Sequence, residues 1–266
     1  MMPILVATAS VAIIGLLIGI LLVNVGKKFA VEVDEKEAAV RDCLPGNNCG
    51  GCGFAGCDAC AAAIASGEAP VNACPVGGAP VAEKVANIMG VEAEAMERKV
   101  AYVKCSGDCD HAQLQANYVG ITDCQAAVNS GLAPKACADG CLGFGSCVQA
   151  CQFDAIHIVN GVARVNPNAC TACGRCVQAC PKHLIELIPA SAQYTVRCVN
   201  TDKAPVVKKA CSAGCIGCKM CVKQCEHDAV HVENNISYID QDKCVHCGKC
   251  FEKCPVNVIE KRYEAS

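Results

Sequence analysis

Residues 210–225 read ACSAGCIGCKMCVKQC, and residues 228–255 read DAVHVENNISYIDQDKCVHCGKCFEKCP. The spacing Cys-x2-Cys-x2-Cys-x3-Cys occurs twice in this stretch, at Cys215, Cys218, Cys221 and Cys225 and again at Cys244, Cys247, Cys250 and Cys254. Between the runs lie two short β-rich segments, 229–233 and 236–240, separated by Asn234-Asn235. Upstream, ACADGCLGFGSCVQAC (136–151) aligns without a gap to the first segment, and DAIHIVNGVARVNPNACTACGRCVQACP (154–181) aligns to the second. This copy has its own β-rich segments, 155–159 and 162–166, around Asn160-Gly161, which suits a two-residue hairpin turn with positive φ at both positions. From residue 105 onward the chain is therefore an internal duplication of a hairpin flanked by cysteine runs, and the expected fold class is α+β.

The spacing has a chemical reason. Three closely spaced thiolates wrap one face of a cubic [4Fe–4S] cluster, and the fourth, on the helical turn that follows, reaches across to a neighbouring cube. This bacterial ferredoxin arrangement pairs Cys215, Cys218 and Cys221 with Cys254, and Cys244, Cys247 and Cys250 with Cys225. In the first copy it pairs Cys170, Cys173 and Cys176 with Cys151. The remaining set departs from the pattern, because Phe144 stands where Cys218 stands in the duplicate. Cys141, Cys147 and Cys180 are left there, with Cys137 as the substitute fourth ligand. Cys180 and Cys254 are followed by Pro, whereas Cys151 and Cys225 are followed by Gln152 and Glu226.

A different signature precedes the duplication. Cys49-x2-Cys52-x4-Cys57-x16-Cys74 lies in LPGNNCGGCGFAGCDACAAAIASGEAPVNACPVGG. Gly46, Gly50, Gly51, Gly53 and Gly56 permit tight positive-φ turns around a cluster, with amides aimed at its sulfurs. Zinc sites more often repeat Cys-x2-Cys pairs, so [4Fe–4S] is the expectation here too. Five clusters follow. Cys105, Cys109 and Cys124 are candidates for a sixth, with Cys137, Cys198 or Cys211 as fourth ligand. If Cys137 goes there, the odd set in the first copy keeps three thiolates and suits [3Fe–4S]. Cys43 and Cys60 read as small buried hydrophobes.

Composition agrees. The chain has 27 cysteines in 266 residues, an odd number clustered in short runs, which argues against a secreted disulfide scaffold. Aromatic residues make up 4% and Trp is absent, so the buried centres must supply much of the core. A net charge of −3 without basic tracts sets nucleic acid aside. His227 and His231 form the one i, i+4 histidine pair, and it falls on an expected strand. Neither a glycine fingerprint for nicotinamide or flavin nor a catalytic triad pattern is evident.

The first 26 residues carry no charge, and Pro3–Val25 is long enough to cross ~30 Å of hydrocarbon as a retained anchor. A cleaved signal would want a basic start and a small-residue cleavage site. Lys27 and Lys28 follow the anchor and place the remaining chain in the cytoplasm by the positive-inside rule. The expected organisation is an anchor (1–26), a charged solvated tether (27–42) that is helix-prone over 30–42, and a glycine-rich cluster domain (43–78). A helical linker follows at 79–104, with Val81, Val85, Ile88, Met89, Met96 and Val100 at helical spacing. Two ferredoxin-like units complete the chain, at 105–190 and 191–266.

The segment PGNNCGGCGFAGCDACAAAIASGEAPVNACPVGG, behind one apolar helix and ahead of ferredoxin units, resembles the B subunit of the Rnf complex along essentially the whole chain. The resemblance implies one [4Fe–4S] cluster in the glycine-rich segment and more in the ferredoxin part. It also implies a membrane assembly that oxidises reduced ferredoxin, reduces NAD+ through partner subunits and translocates Na+ or H+. The simplest members of that family carry one ferredoxin unit and this chain carries two, so the analogy does not fix the electron path. Two other readings compete. The electron-transfer subunit of a membrane formate dehydrogenase or hydrogenase carries ferredoxin repeats but lacks the glycine-rich segment behind an anchor. A zinc-binding scaffold would be colourless.

Overall fold

The computed structural model describes residues 2–28, 34–93 and 97–262, except for the side chains of 2–11 and 26–28. The uncharged opening of the sequence forms helix α1 (Met2–Lys28), and its described side chains, 12–25, are all exposed. Among the described residues no helix is long and apolar enough to cross a membrane, so the expected anchor is not placed by the fold.

Three helices build the glycine-rich domain. Helix α2 (Glu35–Cys43) starts at Asp34, whose carboxylate accepts the Lys36 amide at 2.9 Å. Helices α3 (Cys57–Ala65) and α4 (Gly78–Met89) follow, and Gly90 ends α4 at φ 70°. Val40, Ile64 and Val85 meet in a small core with Cys60, and each such apolar side chain contributes ~1.5–3 kcal/mol on burial. The stretch read as a solvated tether is thus corrected from Asp34 onward, because α2 buries Val40 completely against α3. The helical reading of 79–104 also needs correction. It holds for α4, Met96 lies outside the described residues, and Val100 belongs to strand β1 (Lys99–Val103).

The first ferredoxin unit runs through α5 (Cys124–Asn129), α6 (Ser146–Gln149), β2 (Ile156–Val159), β3 (Val162–Val165), α7 (Arg175–Ala179) and β4 (Ile185–Pro189). The second contains β5 (Tyr194–Val196), α8 (Ala204–Ala210), α9 (Met220–Gln224), β6 (Val230–Glu233), β7 (Ile236–Ile239), α10 (Lys249–Glu252) and β8 (Ile259–Lys261). Both expected hairpins form. Ile156 pairs with Val165 across Asn160-Gly161 (φ 48° and 74°), and Val230 pairs with Ile239 across Asn234-Asn235 (φ 46° and 65°). Each unit also has a long-range antiparallel pair that the sequence did not announce. Lys99 faces Pro189 in β1–β4, and Tyr194 faces Lys261 in β5–β8.

More than a third of the buried side chains in each core are thiols. In the first unit Ile156, Val162 and Leu184 pack with Cys141, Cys147 and Cys176, and in the second Val230, Val258 and Ile259 pack with Cys215, Cys221 and Cys250. All four runs put the residue before their second cysteine position in the left-handed region: Gly143, Ala172, Gly217 and His246 have φ between 56° and 79°. At Gly217 the turn also lies against Asn235, whose carbonyl oxygen would be 2.8 Å from an added Cβ.

Candidate metal centres

Among the described residues no three His, Cys, Asp or Glu side chains close on a point as they would around a single ion. A cubic cluster holds its thiolates further apart, so the test of fit is which thiols share a cavity and what surrounds their sulfurs.

The first unit answers most directly. Cys176 is within electrostatic reach of Cys170, Cys173 and Cys151, which is the crossed set expected from the spacing. Desolvation pushes its thiol up to about 11. The odd set lies beside it, where Cys124, Cys141, Cys147 and Cys180 line one apolar cavity with Leu184 and Ile185. Burial, and then Cys141, Cys124 and Cys180, push Cys147 up to about 12. Cys124, and not the expected Cys137, is thus the fourth thiol on this lining. The reason is local. Asp123 caps α5 through the Ala126 amide at 2.8 Å, and the Ser146 hydroxyl donates to its other oxygen at 2.7 Å. Ser146 in turn accepts the Cys124 amide at 2.8 Å. This holds α5 against α6, and Tyr118 packs on Phe144 with ring centroids 4.7 Å apart.

Cys137 lines another cavity together with Cys105, Cys198 and Cys211. Cys109, expected beside Cys105 and Cys124, is instead exposed at the β2–β3 turn, where its amide donates to the Asn160 carbonyl at 3.0 Å. The three candidates for a sixth centre are thus dispersed. Cys105 lines one cavity, Cys124 the other, and Cys109 neither.

In the second unit Cys221 faces Cys215 and Cys218, and Cys250 faces Cys244 and Cys247, with Cys221 also near. Burial raises both thiols, Cys250 to about 11. Cys225 and Cys254 pack on the same apolar core. Amides point at sulfur throughout: Ala101 at Cys170 (3.3 Å), and Ala155, Leu184 and Ala229 at Cys151, Cys180 and Cys225 (3.4 Å each). The Ser237 hydroxyl lies 3.3 Å from the Cys221 sulfur. Cys218 and Cys247 are exposed, whereas Phe144 and Cys173 at the matching positions are half-buried.

The glycine-rich segment brings Cys52, Cys57 and Cys74 within reach of one another, with Cys49 on the same loop. The Gly77 amide donates to the Cys74 sulfur at 3.4 Å, and Asn48 accepts the Cys57 amide at 2.7 Å. Gly46, Gly50 and Gly53 take positive φ as expected, while Gly51 and Gly56 do not. Gly51 serves a close approach instead. A Cβ there would lie 2.8 Å from the Cys173 carbonyl oxygen, so this loop sits directly on the Cys170–Cys180 run. Cys43 packs on the small core, and Cys60, 1% exposed, is raised to about 12 by burial and then by Cys52. His231 stacks on Tyr238.

Buried neutral thiols of this kind deprotonate when they take iron, so they fit cluster ligation and couple it to folding. Comparison with known proteins agrees. The FeS family model, for an Fe-S cluster, matches residues 44–76, and the Fer4 model, the 4Fe-4S binding domain, matches 163–186 and 237–260. The chain is 47% identical to the B subunit of the Na(+)-translocating ferredoxin:NAD(+) oxidoreductase complex of Acetobacterium woodii, over 96% of this chain and 77% of that one. It is 42% identical to the B subunit of the ion-translocating oxidoreductase complex of Methanosarcina acetivorans, over 96% and 97%. With the B subunit of the proton-translocating ferredoxin:NAD(+) oxidoreductase complex of Clostridium ljungdahlii it shares 45% identity, over 93% and 89%.

Proposed function

The chain belongs to the family of Rnf complex B subunits, and on that premise we propose that it takes electrons from reduced ferredoxin at its second ferredoxin unit and delivers them through the first to the glycine-rich segment. It is an electron-transfer subunit of the ion-translocating ferredoxin:NAD+ oxidoreductase, and its catalytic role exists only within that complex. When bound, [4Fe–4S] clusters supply one-electron carriers whose potentials respond to burial, nearby charge and hydrogen bonds to sulfur. The ligand sets are Cys49, Cys52, Cys57 and Cys74; Cys124, Cys141, Cys147 and Cys180; Cys151 with Cys170, Cys173 and Cys176; Cys215, Cys218 and Cys221 with Cys254; and Cys225 with Cys244, Cys247 and Cys250.

One observation carries the direction. At one end Cys218 and Cys247 are open to solvent beside the exposed Lys219, Lys223 and Lys249, and at the other Gly51 closes over Cys173. Residues 197–266 hold 11 Lys/Arg against 9 Asp/Glu, while residues 27–196 hold 12 against 17. An acidic donor is steered to the basic end. Lys249 is paired with Glu226, which lowers its share of that field. The uncharged residues 1–26 support a single-pass anchor, with the cluster domains on the cytoplasmic side.

The test is the triple variant Lys219→Glu, Lys223→Glu and Lys249→Glu in the assembled complex. Ferredoxin oxidation at low salt should slow by about tenfold or more, and the wild-type rate should fall as salt rises. An unchanged low-salt rate would remove this docking surface.

A further inference from the structure

Four cysteines that belong to no run, Cys105, Cys137, Cys198 and Cys211, share one cavity. They form two pairs related by the duplication. Cys105 follows strand β1 in the sequence Tyr102-Val103-Lys104-Cys105, and Cys198 follows strand β5 in Thr195-Val196-Arg197-Cys198. Cys137 and Cys211 each stand four residues before the first cysteine of a run.

The hydrogen bonding repeats with the same symmetry. The Cys105 sulfur accepts the amides of Gly107 at 3.4 Å and Cys141 at 3.5 Å, and the Cys198 sulfur accepts those of Asn200 and Cys215. The Gly140 amide donates to the Cys137 carbonyl at 3.2 Å, and the Gly214 amide to the Cys211 carbonyl at 3.3 Å. Each half of the duplication thus gives the cavity two thiols in the same local setting.

Charge points the same way. Lys135 lines the cavity, is 4% exposed, and gives its ammonium to the carbonyls of Gly107 and Gly161 at 2.7 Å each. Arg197, equally buried, bridges the Glu260 carboxylate at 2.9 Å and the Cys105 carbonyl at 2.7 Å. Burying an ammonium against neutral carbonyls is unfavourable, and an anionic centre with four thiolates offsets that cost. Asp139 on the same lining is the one carboxylate among the cavity's residues. The Asn200 side-chain amide donates to the Cys137 sulfur at 3.4 Å, a further contact of the kind that tunes a cluster.

We propose that Cys105, Cys137, Cys198 and Cys211 hold a sixth [4Fe–4S] cluster, two ligands from each ferredoxin unit, at the junction between them. The position explains its use. The Cys105 sulfur accepts the amide of Cys141 from the first unit's odd set and the Cys198 sulfur that of Cys215 from the second unit, so the centre joins the two halves of the path. The proposal rests on the iron–sulfur reading of the other sets.

The experiment counts iron, acid-labile sulfide and zinc in the full chain purified and loaded anaerobically. Six cubes give about 24 iron per chain and five give about 20. The expected result is about 24 iron without zinc, about 20 in Cys198→Ala with the remaining paramagnetic signals retained, and about 24 in Cys109→Ala. A wild-type count of about 20, one zinc per chain beside 20 iron, an undiminished count in Cys198→Ala, or a loss of four in Cys109→Ala would each overturn the sixth centre alone. If Cys198→Ala loses every cluster, the wild-type and Cys109→Ala counts decide. A wild-type chain that loads no iron overturns the underlying reading as well.

Discussion

Replacing Gly51 with Ala places one methyl group into the contact between the glycine-rich segment and the first ferredoxin unit. The added carbon would lie 2.8 Å from the Cys173 carbonyl oxygen and 2.9 Å from its Cα. Both atoms are backbone, so no flexible side chain can swing away. Ordinary carbon contacts lie near ~3.5–4.0 Å, so the loop must retreat by roughly 0.6 Å or more. Overpacking of this kind costs about 1–3 kcal/mol, and the retreat separates Cys52 and its neighbours from the Cys170–Cys180 run. Gly53→Ala is the matched control. Its φ of 86° strains an alanine by about 1 kcal/mol, but nothing lies within 4 Å of the new carbon. Denaturation should show both variants destabilised. Stopped-flow reduction should show slower arrival of the electron at the glycine-rich segment in Gly51→Ala alone. If Gly51→Ala matches the wild type in stability and transfer rate, the close approach of these two segments has no functional weight.

Cys124→Ala should remove the second cluster of the first unit, so that iron falls by about four per chain while the signals of the second unit persist. An unchanged count would return Cys137 to that set. Deleting residues 1–26 should release a brown, soluble chain that still accepts electrons from ferredoxin, and a truncated chain that stayed with the membrane on its own would refute the anchor.

Much of this was written in local spacing. The four runs, both hairpins and helix α4 follow from cysteine intervals, Asn-Gly or Asn-Asn turns and a 3.6-residue apolar stripe, all contained within about 30 residues. What the sequence hid was long-range. Val100 fits a helical stripe but forms a strand because Ile188 waits opposite it, 88 positions away. The tether reading left α2 solvated, whereas a single apolar residue, Val40, pins that charged helix. Cys124 reaches the cavity beside Phe144 from the start of α5, where no spacing rule points, and Cys137 lines the other cavity. A signal for the second of these was present in the likeness of Tyr102-Val103-Lys104-Cys105 to Thr195-Val196-Arg197-Cys198, which extends the duplication upstream of the aligned runs.

The direction of electron flow is tested most directly by mixing the assembled complex with reduced ferredoxin and freezing it at successive times for paramagnetic resonance. Cys52→Ala identifies the signal of the glycine-rich segment by its absence. Signals of the second unit should rise first and that of the glycine-rich segment last. If the glycine-rich signal rises first, with the second unit trailing it, electrons arrive at the opposite end and do not enter at the second unit.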